Sequence, residues 1–330
     1  MATIYDVARR AEVSPATVSR VVNGHANVDP GLAERVRAAM AELDYRPNAV
    51  ARNLRRSRTS LWAVIISDIG NPFFTSMVRG VEDVAQAAGF SVVLCNTDEN
   101  AAKESQYVSA ALSEQMAGVI ISPSGPATGV NRLVDARVPV VAIDRQLRNA
   151  AVDTVGVDNE HGAELATAHL LEGGYRRIAC ITGPRRLSTA TQRLRGYERA
   201  LRAAGLPADP ALVRHADFRA DGGYRAMASL LADGARPDAV FATNNLMTMG
   251  ALECLADSRV AAGFGVVGFD DVAWAHLVRP SLTTVAQPTY ELGRTAAELL
   301  TARIATPTRR PSTVTLHTKL QVRDSSTPRR

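Results

Sequence analysis

The chain has 330 residues, 46% of them hydrophobic, which is enough to bury a large core and predicts two or three domains. It has no apolar stretch of the roughly 18 residues that a membrane-spanning helix needs, and its N-terminus lacks the basic head and apolar run of a secretory signal. A cytoplasmic protein is therefore expected.

Positive charge is concentrated near the N-terminus. Residues 1–60 contain ten arginines against six carboxylates, whereas residues 61–330 contain 28 basic and 27 acidic side chains. A basic module attached to a nearly neutral body suggests an anionic partner, and nucleic acid is the commonest one. A merely solvated charged face is the alternative.

The cysteines Cys95, Cys180 and Cys254 are far apart in the sequence and lie in or beside apolar segments. Their spacing indicates neither a disulfide framework nor a metal cluster. We expect all three to be small core residues.

The first predicted helix begins at Thr3, which has capping-box spacing to Asp6, and runs through Ala11. After a two-residue connection, Ser14 is an N-cap and Pro15 occupies the first position of a second helix. Its apolar stripe consists of Val18, Val21 and Val22, and it ends at Asn23-Gly24.

The other face of the second helix carries small or hydroxyl side chains and one guanidinium. They are Pro15, Ala16, Thr17, Ser19 and Arg20. Such a face lets the backbone approach base edges while Arg20 reads a guanine with two hydrogen bonds. The two helices therefore predict a helix-turn-helix, with an ordinary helical hairpin as the alternative.

A third helix is expected from Asp29-Pro30 to about Leu43, closing the core of this small domain. Residues 48–58 then form a short, basic segment that is too charged to be a stable helix alone and that could fold on contact. Leu54 is an isolated apolar side chain among its arginines, as a minor-groove wedge requires. An ordinary linker is the alternative.

From Leu61 onward, apolar runs alternate with helical periods. The runs are residues 61–67, 90–96, 118–122, 138–143, 177–182, 239–243 and 264–269. Buried strands separated by helices predict an α/β fold of parallel sheets flanked by helices. Ligands bind at the carboxyl ends of such strands, and polar residues follow most of the runs.

Other chemistry receives little support. Gly263, Gly265 and Gly268 have dinucleotide-fingerprint spacing, but they precede and occupy a strand where the true motif follows one. His161 and His169 lack metal-binding helical spacing, and neither a nucleophile elbow nor a phosphate-cradling loop occurs. We therefore expect no catalytic residues, no metal and no cofactor.

Several motifs resemble those of the lactose-repressor family of bacterial transcription regulators. In the first domain they are Thr3-Ile-Tyr-Asp-Val-Ala, Val13-Ser, Thr17-Val-Ser-Arg-Val-Val-Asn-Gly and Tyr45-Arg-Pro-Asn-Ala-Val-Ala-Arg-Asn-Leu. Further on they are Asp68-Ile-Gly-Asn-Pro-Phe-Phe, Val157-Asp-Asn, Arg193-Leu-Arg-Gly-Tyr, Thr243-Asn-Asn, Val267-Gly-Phe-Asp-Asp, Thr283-Thr-Val and Gln287-Pro. The resemblance covers nearly the whole chain.

The resemblance implies an all-α helix-turn-helix headpiece over residues 1–46 and a hinge helix and linker over 47–60. A two-lobed core similar to periplasmic binding proteins would occupy residues 61–330. One lobe would comprise about 61–158 plus 288–320 and the other about 159–287 plus 321–330, because the chain of such a core crosses between lobes three times. The family works as homodimers or dimers of dimers.

The partners implied are double-stranded, pseudo-palindromic operator DNA and a small-molecule effector, with no membrane. Leu54 would correspond to the hinge leucine that opens the central base step. The residues expected at DNA are Thr3, Tyr5, Ser14, Pro15, Ala16, Thr17, Ser19, Arg20, Asn23, Asn27, Tyr45, Asn48, Ala51, Leu54 and Arg55.

The expected effector site looks like the pocket of ribose-binding proteins, with aromatic rings for a sugar face and charged and amide groups for its hydroxyls. Its residues are Asn71, Phe73, Phe74, Ser122, Asp144, Arg145, Thr189, Arg193, Phe218, Asn244, Asp270 and Gln287. Ser122 stands where ribose-binding proteins carry an asparagine. A pentose, ribose first, is favoured, with another polyol or a purine corepressor as alternatives.

These observations predict a repressor whose operator affinity depends on a sugar bound between the core lobes. Three other classes remain. A transport binding protein would need a signal peptide, an enzyme on a Rossmann-like fold would need a catalytic constellation, and a structural DNA-binding protein would not need a polar cleft.

Overall fold

The computed structural model describes residues 2–22, 28–45, 59–125, 127–147, 149–260 and 263–327. The chain divides into two compact units, Met1–Thr59 and Ser60–Arg330. Within the described residues, no helix is both long and apolar enough to cross a membrane.

The headpiece contains the three predicted helices, α1 (Ile4–Arg10), α2 (Pro15–Val22) and α3 (Pro30–Glu42). The capping box is present, since Thr3 Oγ1 accepts from the Asp6 N–H and the Asp6 carboxylate accepts from the Thr3 N–H. The Asp29 carboxylate caps α3 in the same way, accepting from the Leu32 N–H. The buried core consists of Val7, Ala8, Ala11, Val18, Val36 and Ala39.

The second unit is built on two six-stranded sheets. The first lobe contains β1 (Leu61–Ile66), α4 (Pro72–Ala87), β2 (Ser91–Asn96), α5 (Ala101–Ser113), β3 (Gly118–Ile121), α6 (Thr128–Asp135), β4 (Val140–Ile143), β5 (Asp153–Val157), α11 (Thr289–Ala305) and β11 (Thr313–Leu316). Its sheet has the order β11-β5-β4-β3-β1-β2 and is parallel throughout.

The second lobe contains α7 (Asn159–Glu172), β6 (Ile178–Thr182), α8 (Ser188–Ala203), β7 (Val213–His215), α9 (Ala220–Ala232), β8 (Ala239–Ala242), α10 (Asn245–Asp257), β9 (Gly265–Phe269), β10 (Thr283–Ala286) and β12 (Lys319–Gln321). Its sheet has the order β12-β10-β9-β8-β6-β7, in which the edge strand β12 is antiparallel to β10. The α/β fold of parallel sheets is therefore confirmed.

The chain passes from one sheet to the other three times, after β5, after β10 and after β11. Because β12 begins at Lys319, residues 319–320 belong to the second sheet. The expected boundary had assigned these two residues to the first lobe. All three cysteines are buried and free, as expected for core residues.

Glycines let three helix pairs approach closely: α4 with α11, α7 with α8, and α9 with α10. A Cβ on Gly293 of α11 would lie 1.9 Å from the Met77 carbonyl oxygen of α4, and a Cβ on Gly80 of α4 would lie 2.1 Å from the Tyr290 carbonyl oxygen. A Cβ on Gly250 of α10 would lie 1.9 Å from the Ala220 carbonyl oxygen. Backbone therefore packs directly on backbone.

We expect Gly293→Ala to lower the free energy of unfolding by about 1–3 kcal/mol. The added methyl group overpacks against backbone that cannot rotate away, which outweighs the ~1 kcal/mol that alanine gains in a helix. Gly129→Ala is the matched control, because its Cβ would meet only side chains, the closest at 3.6 Å. Thermal denaturation of both variants tests this, and an unchanged Tm for Gly293→Ala would contradict the close packing.

Candidate functional site

A cavity lies where the carboxyl ends of the two sheets face each other. Ligand sites of parallel sheets occur at this position. The lining residues are Asp68, Asn71, Phe73, Phe74, Glu99, Asp144, Arg145, Thr189, Arg193, Asp217, Phe218, Arg219, Asn244, Asp270 and Gln287.

Three phenylalanines form the apolar walls. Phe73 and Phe74 occupy the first turn of α4, which is capped by Asn71 Oδ1 accepting from the Phe73 N–H at 3.0 Å. Their rings meet edge to face, with centroids 5.0 Å apart and an interplanar angle of 79°. Phe218 comes from the second lobe, and its ring covers Gly183 so closely that a Cβ there would lie 2.2 Å from it. Aromatic surface is thus supplied by both lobes.

Arg145 is a buried guanidinium with fixed partners. Its Nη1 donates to Glu99 Oε2 at 2.9 Å and to the Pro123 carbonyl at 3.2 Å, and its Nη2 donates to Glu99 Oε1. Burial lowers the pKa of Arg145, but the Glu99, Asp144 and Glu104 carboxylates together outweigh this and hold the pKa above its ordinary value. The side chain is therefore charged and oriented.

Arg193 enters the cavity from α8. Its Nε donates to Asn159 Oδ1 at 2.8 Å, and its Nη1 donates to the Thr243 carbonyl at 2.6 Å. The guanidinium carbon lies 3.7 Å from the centre of the Phe269 ring, a stacked cation–π geometry. Burial lowers the pKa of Arg193, yet an arginine remains protonated at neutral pH.

Asp144 and Asp270 place carboxylates in the same cavity. Asp270 accepts from Gln287 Nε2 at 2.5 Å and from the Asn245 N–H at 3.3 Å, whereas Asp144 faces Arg145 Nε at 3.5 Å. Burial raises the pKa of both aspartates, against the opposing effect of the neighbouring guanidiniums. Among the residues that the structure describes, no group of three or more His, Cys, Asp or Glu side chains could hold a metal ion.

Four residues of the cavity wall have backbone in the left-handed region. The φ angles are 60° at Glu99, 66° at Asp144, 63° at Phe218 and 75° at Asp270. This conformation is unfavourable for residues other than glycine and concentrates at ligand sites, where the surrounding structure enforces it.

The structure brings eleven of the twelve predicted ligand-site residues to this cavity. Ser122 does not line it. The Ser122 N–H still donates to the Ile65 carbonyl at 2.8 Å, so this residue lies within the depth of the sheet and is fully buried.

Four lining residues were missing from the predicted site: Asp68, Glu99, Asp217 and Arg219. Asp68 follows β1 and carried a sequence signal as a polar residue at a strand end. Glu99 lies three residues beyond β2, and Asp217 and Arg219 follow the three-residue strand β7, so neither loop could be placed from the pattern alone.

Hydrogen bonds join the two lobes beside the cavity. Asn245 Nδ2 of the second lobe donates to Asn71 Oδ1 of the first at 2.8 Å. On another side, the Gln146 N–H donates to Ser188 Oγ at 3.0 Å. The described arrangement therefore has the lobes in contact around the site.

The headpiece presents the expected face of α2. Ser14, Pro15, Ala16 and Arg20 are exposed, while Thr17 and Ser19 are half-buried. Tyr5 is 67% exposed and Thr3 is exposed, whereas Tyr45 is half-buried against the headpiece core. The predicted DNA contacts Asn23, Asn27, Asn48, Ala51, Leu54 and Arg55 lie outside the described residues, as does most of the predicted hinge.

Two family models match the chain. Residues 3–48 match "Bacterial regulatory proteins, lacI family", and residues 59–323 match "Periplasmic binding proteins and sugar binding domain of LacI family". The chain belongs to the LacI family. It is therefore a DNA-binding transcriptional regulator, as the sequence motifs predicted.

Curated relatives span nearly the same length as this LacI-family chain. A ribose operon repressor from Halalkalibacterium halodurans is 37% identical over 99% of this chain and 97% of the relative. Catabolite control protein A from Priestia megaterium is 36% identical over 98% and 99%. The HTH-type transcriptional repressor PurR from Photobacterium profundum is 32% identical over 92% of each chain.

Solved structures show the same architecture. The lac repressor dimer bound to operator and the anti-inducer ONPF is 29% identical, covers 99% of each chain and gives a TM-score of 0.86. A LacI family regulator from Enterococcus faecium with bound ribose is 30% identical, covers 82% of this chain and 100% of its own, and gives a TM-score of 0.73.

The neighbouring carboxylates Asp270 and Asp271 are expected to respond oppositely to neutralisation. A carboxyl whose pKa is raised in the folded protein contributes most stability below its unfolded pKa and loses that contribution as pH rises through the folded pKa. The pKa of Asp270 is raised by burial. At Asp271 burial also acts to raise the pKa, but hydrogen bonds from Arg323 and Thr284 outweigh it, so the pKa is lowered and the ionised form stabilises the fold.

Asp270→Asn should therefore keep or raise the Tm at pH 7. The difference in Tm between this variant and the parent protein should shrink as the pH falls. Asp271→Asn should lower the stability at pH 7 by about 1 kcal/mol or more, because charge-assisted hydrogen bonds are lost. Thermal denaturation of both variants between about pH 4 and 8 is the measurement, because a carboxyl with a raised pKa titrates above the ordinary value of about 3.9. Equal losses of stability at pH 7 would refute this difference.

Proposed function

We propose that this LacI-family protein is a transcriptional repressor whose affinity for operator DNA is controlled by a small sugar, with a pentose such as ribose favoured. The observation that carries the proposal is the cavity between the lobes, where phenylalanine rings stand beside fixed guanidinium, carboxylate and amide groups. A sugar ring has an apolar face for the rings and hydroxyls for the polar groups.

Two polar atoms of this cavity support a ligand rich in hydroxyls. Within the part of the chain that the structure describes, Arg145 Nε and Gln287 Oε1 are buried without a hydrogen-bond partner. A buried donor or acceptor left unpaired costs about 1–3 kcal/mol, so a ligand that pairs with Gln287 Oε1 gains that amount. A ligand that bonds Arg145 Nε adds a hydrogen bond to a group that has only the Asp144 carboxylate at 3.5 Å. A hydroxyl group can donate to the amide oxygen and accept from the guanidinium.

Some of the relatives support this ligand class. One relative is named a ribose operon repressor, and one solved family member contains ribose. The mixture of charged groups also suits a polyol better than a purine, whose flat faces depend mainly on stacking. A purine corepressor is the alternative outcome of the ligand experiment below.

We propose that the ligand acts by changing the relative arrangement of the lobes. Asn71 and Gln146 on one lobe and Asn245 and Ser188 on the other are joined by hydrogen bonds beside the cavity, so a bound ligand would change the energy of that junction. Shifting a two-state equilibrium from 1:99 to 99:1 requires roughly 5.5 kcal/mol of preference. In a homodimer or dimer of dimers, such a change alters the spacing of the two headpieces at a pseudo-palindrome. The proposal includes no catalysis.

For the DNA interface, Arg20→Ala should weaken specific operator binding by about 1–3 kcal/mol and relax the preference at one base pair, because Arg20 is proposed to read a guanine. Arg37→Ala, an exposed arginine on α3, is the control and should leave base preference unchanged. A binding-site selection followed by affinity measurements separates the two. If the Arg20→Ala protein keeps its full base preference, the proposal that α2 binds in the major groove is wrong.

For the effector, calorimetry with the full-length protein should show binding of ribose or another pentose. Asp270→Ala and Arg193→Ala should each weaken it at least ~10-fold, since a hydrogen bond to a charged group contributes ~1.5–3 kcal/mol. Operator affinity without sugar should stay unchanged. Arg195→Ala is the matched control, because this exposed arginine pairs with Glu160 outside the cavity.

If hypoxanthine or guanine binds tightly and ribose, xylose and arabinose give no heat, the sugar proposal is wrong and a purine is the effector.

A further inference from the structure

Glu99 lines the cavity but was absent from the predicted site. Its side chain is paired with Arg145. It lies in the loop between β2 and α5, with its side chain 15% exposed, and binds both terminal nitrogens of Arg145, which is 5% exposed. The Pro123 carbonyl accepts from Nη1 as well. Protein acceptors therefore already occupy the part of Arg145 that binds phosphate or carboxylate groups most strongly.

The charges around the cavity do not balance. Its lining includes five carboxylates, Asp68, Glu99, Asp144, Asp217 and Asp270, against three guanidiniums, Arg145, Arg193 and Arg219. The buried members of this set are Asp144 and Asp270 against Arg145 and Arg193, and Glu99 is half-buried and bound to Arg145. Glu99 thus adds negative charge to a lining whose buried carboxylates already equal its buried guanidiniums in number, and the buried Glu104 outside the lining adds more.

Building on the proposed sugar function, we propose that Glu99 is a charge filter that makes this cavity select uncharged polyols and reject phosphorylated sugars and sugar acids. An uncharged hydroxyl needs only the donors and acceptors that remain. An anionic group must compete with Glu99 for Arg145, and it enters a weakly screened cavity whose lining has more carboxylates than guanidiniums. The filter acts on ligand charge, so it differs from the residues that hold the sugar ring.

The test compares the parent protein with Glu99→Gln, which keeps the shape of the side chain and removes its charge. D-ribose and D-ribose 5-phosphate are the probes, titrated calorimetrically into the full-length protein at fixed ionic strength. The parent should bind ribose at least ~100-fold more tightly than ribose 5-phosphate. Glu99→Gln should narrow that ratio at least ~10-fold, equivalent to about 1.4 kcal/mol, by gaining affinity for the phosphate ester.

Asp98→Asn is the matched control. It removes the same charge from the neighbouring residue, whose exposed carboxylate binds Lys103 outside the cavity lining. Its selectivity should equal that of the parent. Glu99→Asp keeps the charge and should retain most of the discrimination, while Glu99→Ala is a second neutral variant should Glu99→Gln fail to fold.

A merely structural role for Glu99 would weaken both probes together and leave their ratio unchanged, which would overturn the proposal. So would a parent protein that binds ribose 5-phosphate as tightly as ribose. If no variant binds ribose, the sugar proposal fails, and the filter is judged by ribose 5-phosphate alone. It survives if the neutral Glu99 variants gain affinity for that ester and is overturned if they do not.

Discussion

Arg145 and Arg193 carry positive charge into the interior between two sheets, where an ion without fixed partners costs several kcal/mol. The surrounding structure meets this requirement with carboxylate and carbonyl oxygens from the loops at Glu99 and Pro123 and with the amide oxygen of Asn159 at the start of α7. These loops follow strands whose carboxyl ends meet at one place because the sheets are parallel. The fold thus brings strand ends, and the polar atoms that follow them, to the place where the buried guanidiniums need partners.

Hydrogen bonds also connect the cavity to the segments that cross between the lobes. Gln287 lies on the second crossing, and its amide donates to Asp270 in the cavity. The first and third crossings are tied by Asp158, which accepts from the Thr318 N–H at 2.8 Å and from His317 Nδ1 at 3.0 Å. Gln287 therefore brings a segment that crosses between the lobes into the wall of the cavity.

The residues of the site lower the stability of the folded protein. Asp144 and Asp270 are buried carboxylates with raised pKa values, and they and Phe218 also hold left-handed backbone. Backbone strain and buried charge at a site of this kind persist only when packing elsewhere supplies the stability. The glycine contacts of the three helix pairs provide such packing, because they let backbone approach backbone in both lobes.

The sequence by itself determined the features that depend on near neighbours. The helix caps at Thr3 and Asp29 follow from side chains that bond N–H groups three residues on, and buried parallel strands are continuous apolar runs. Polar residues just beyond those runs, such as Asp144 and Asp270, were expected at strand ends, and the resemblance to ribose-binding proteins placed them in one site although they follow strands of different sheets. The tertiary structure decided the rest. The strands β7 and β12 have three residues each, too few to show a period, and are strands because a neighbouring strand pairs with them. Ser122 and Glu99 both follow strands, yet Ser122 stays within the sheet while a φ of 60° turns the loop at Glu99 beside the cavity. That difference arises from loop conformation and a distant guanidinium, neither of which is encoded by residue type or spacing.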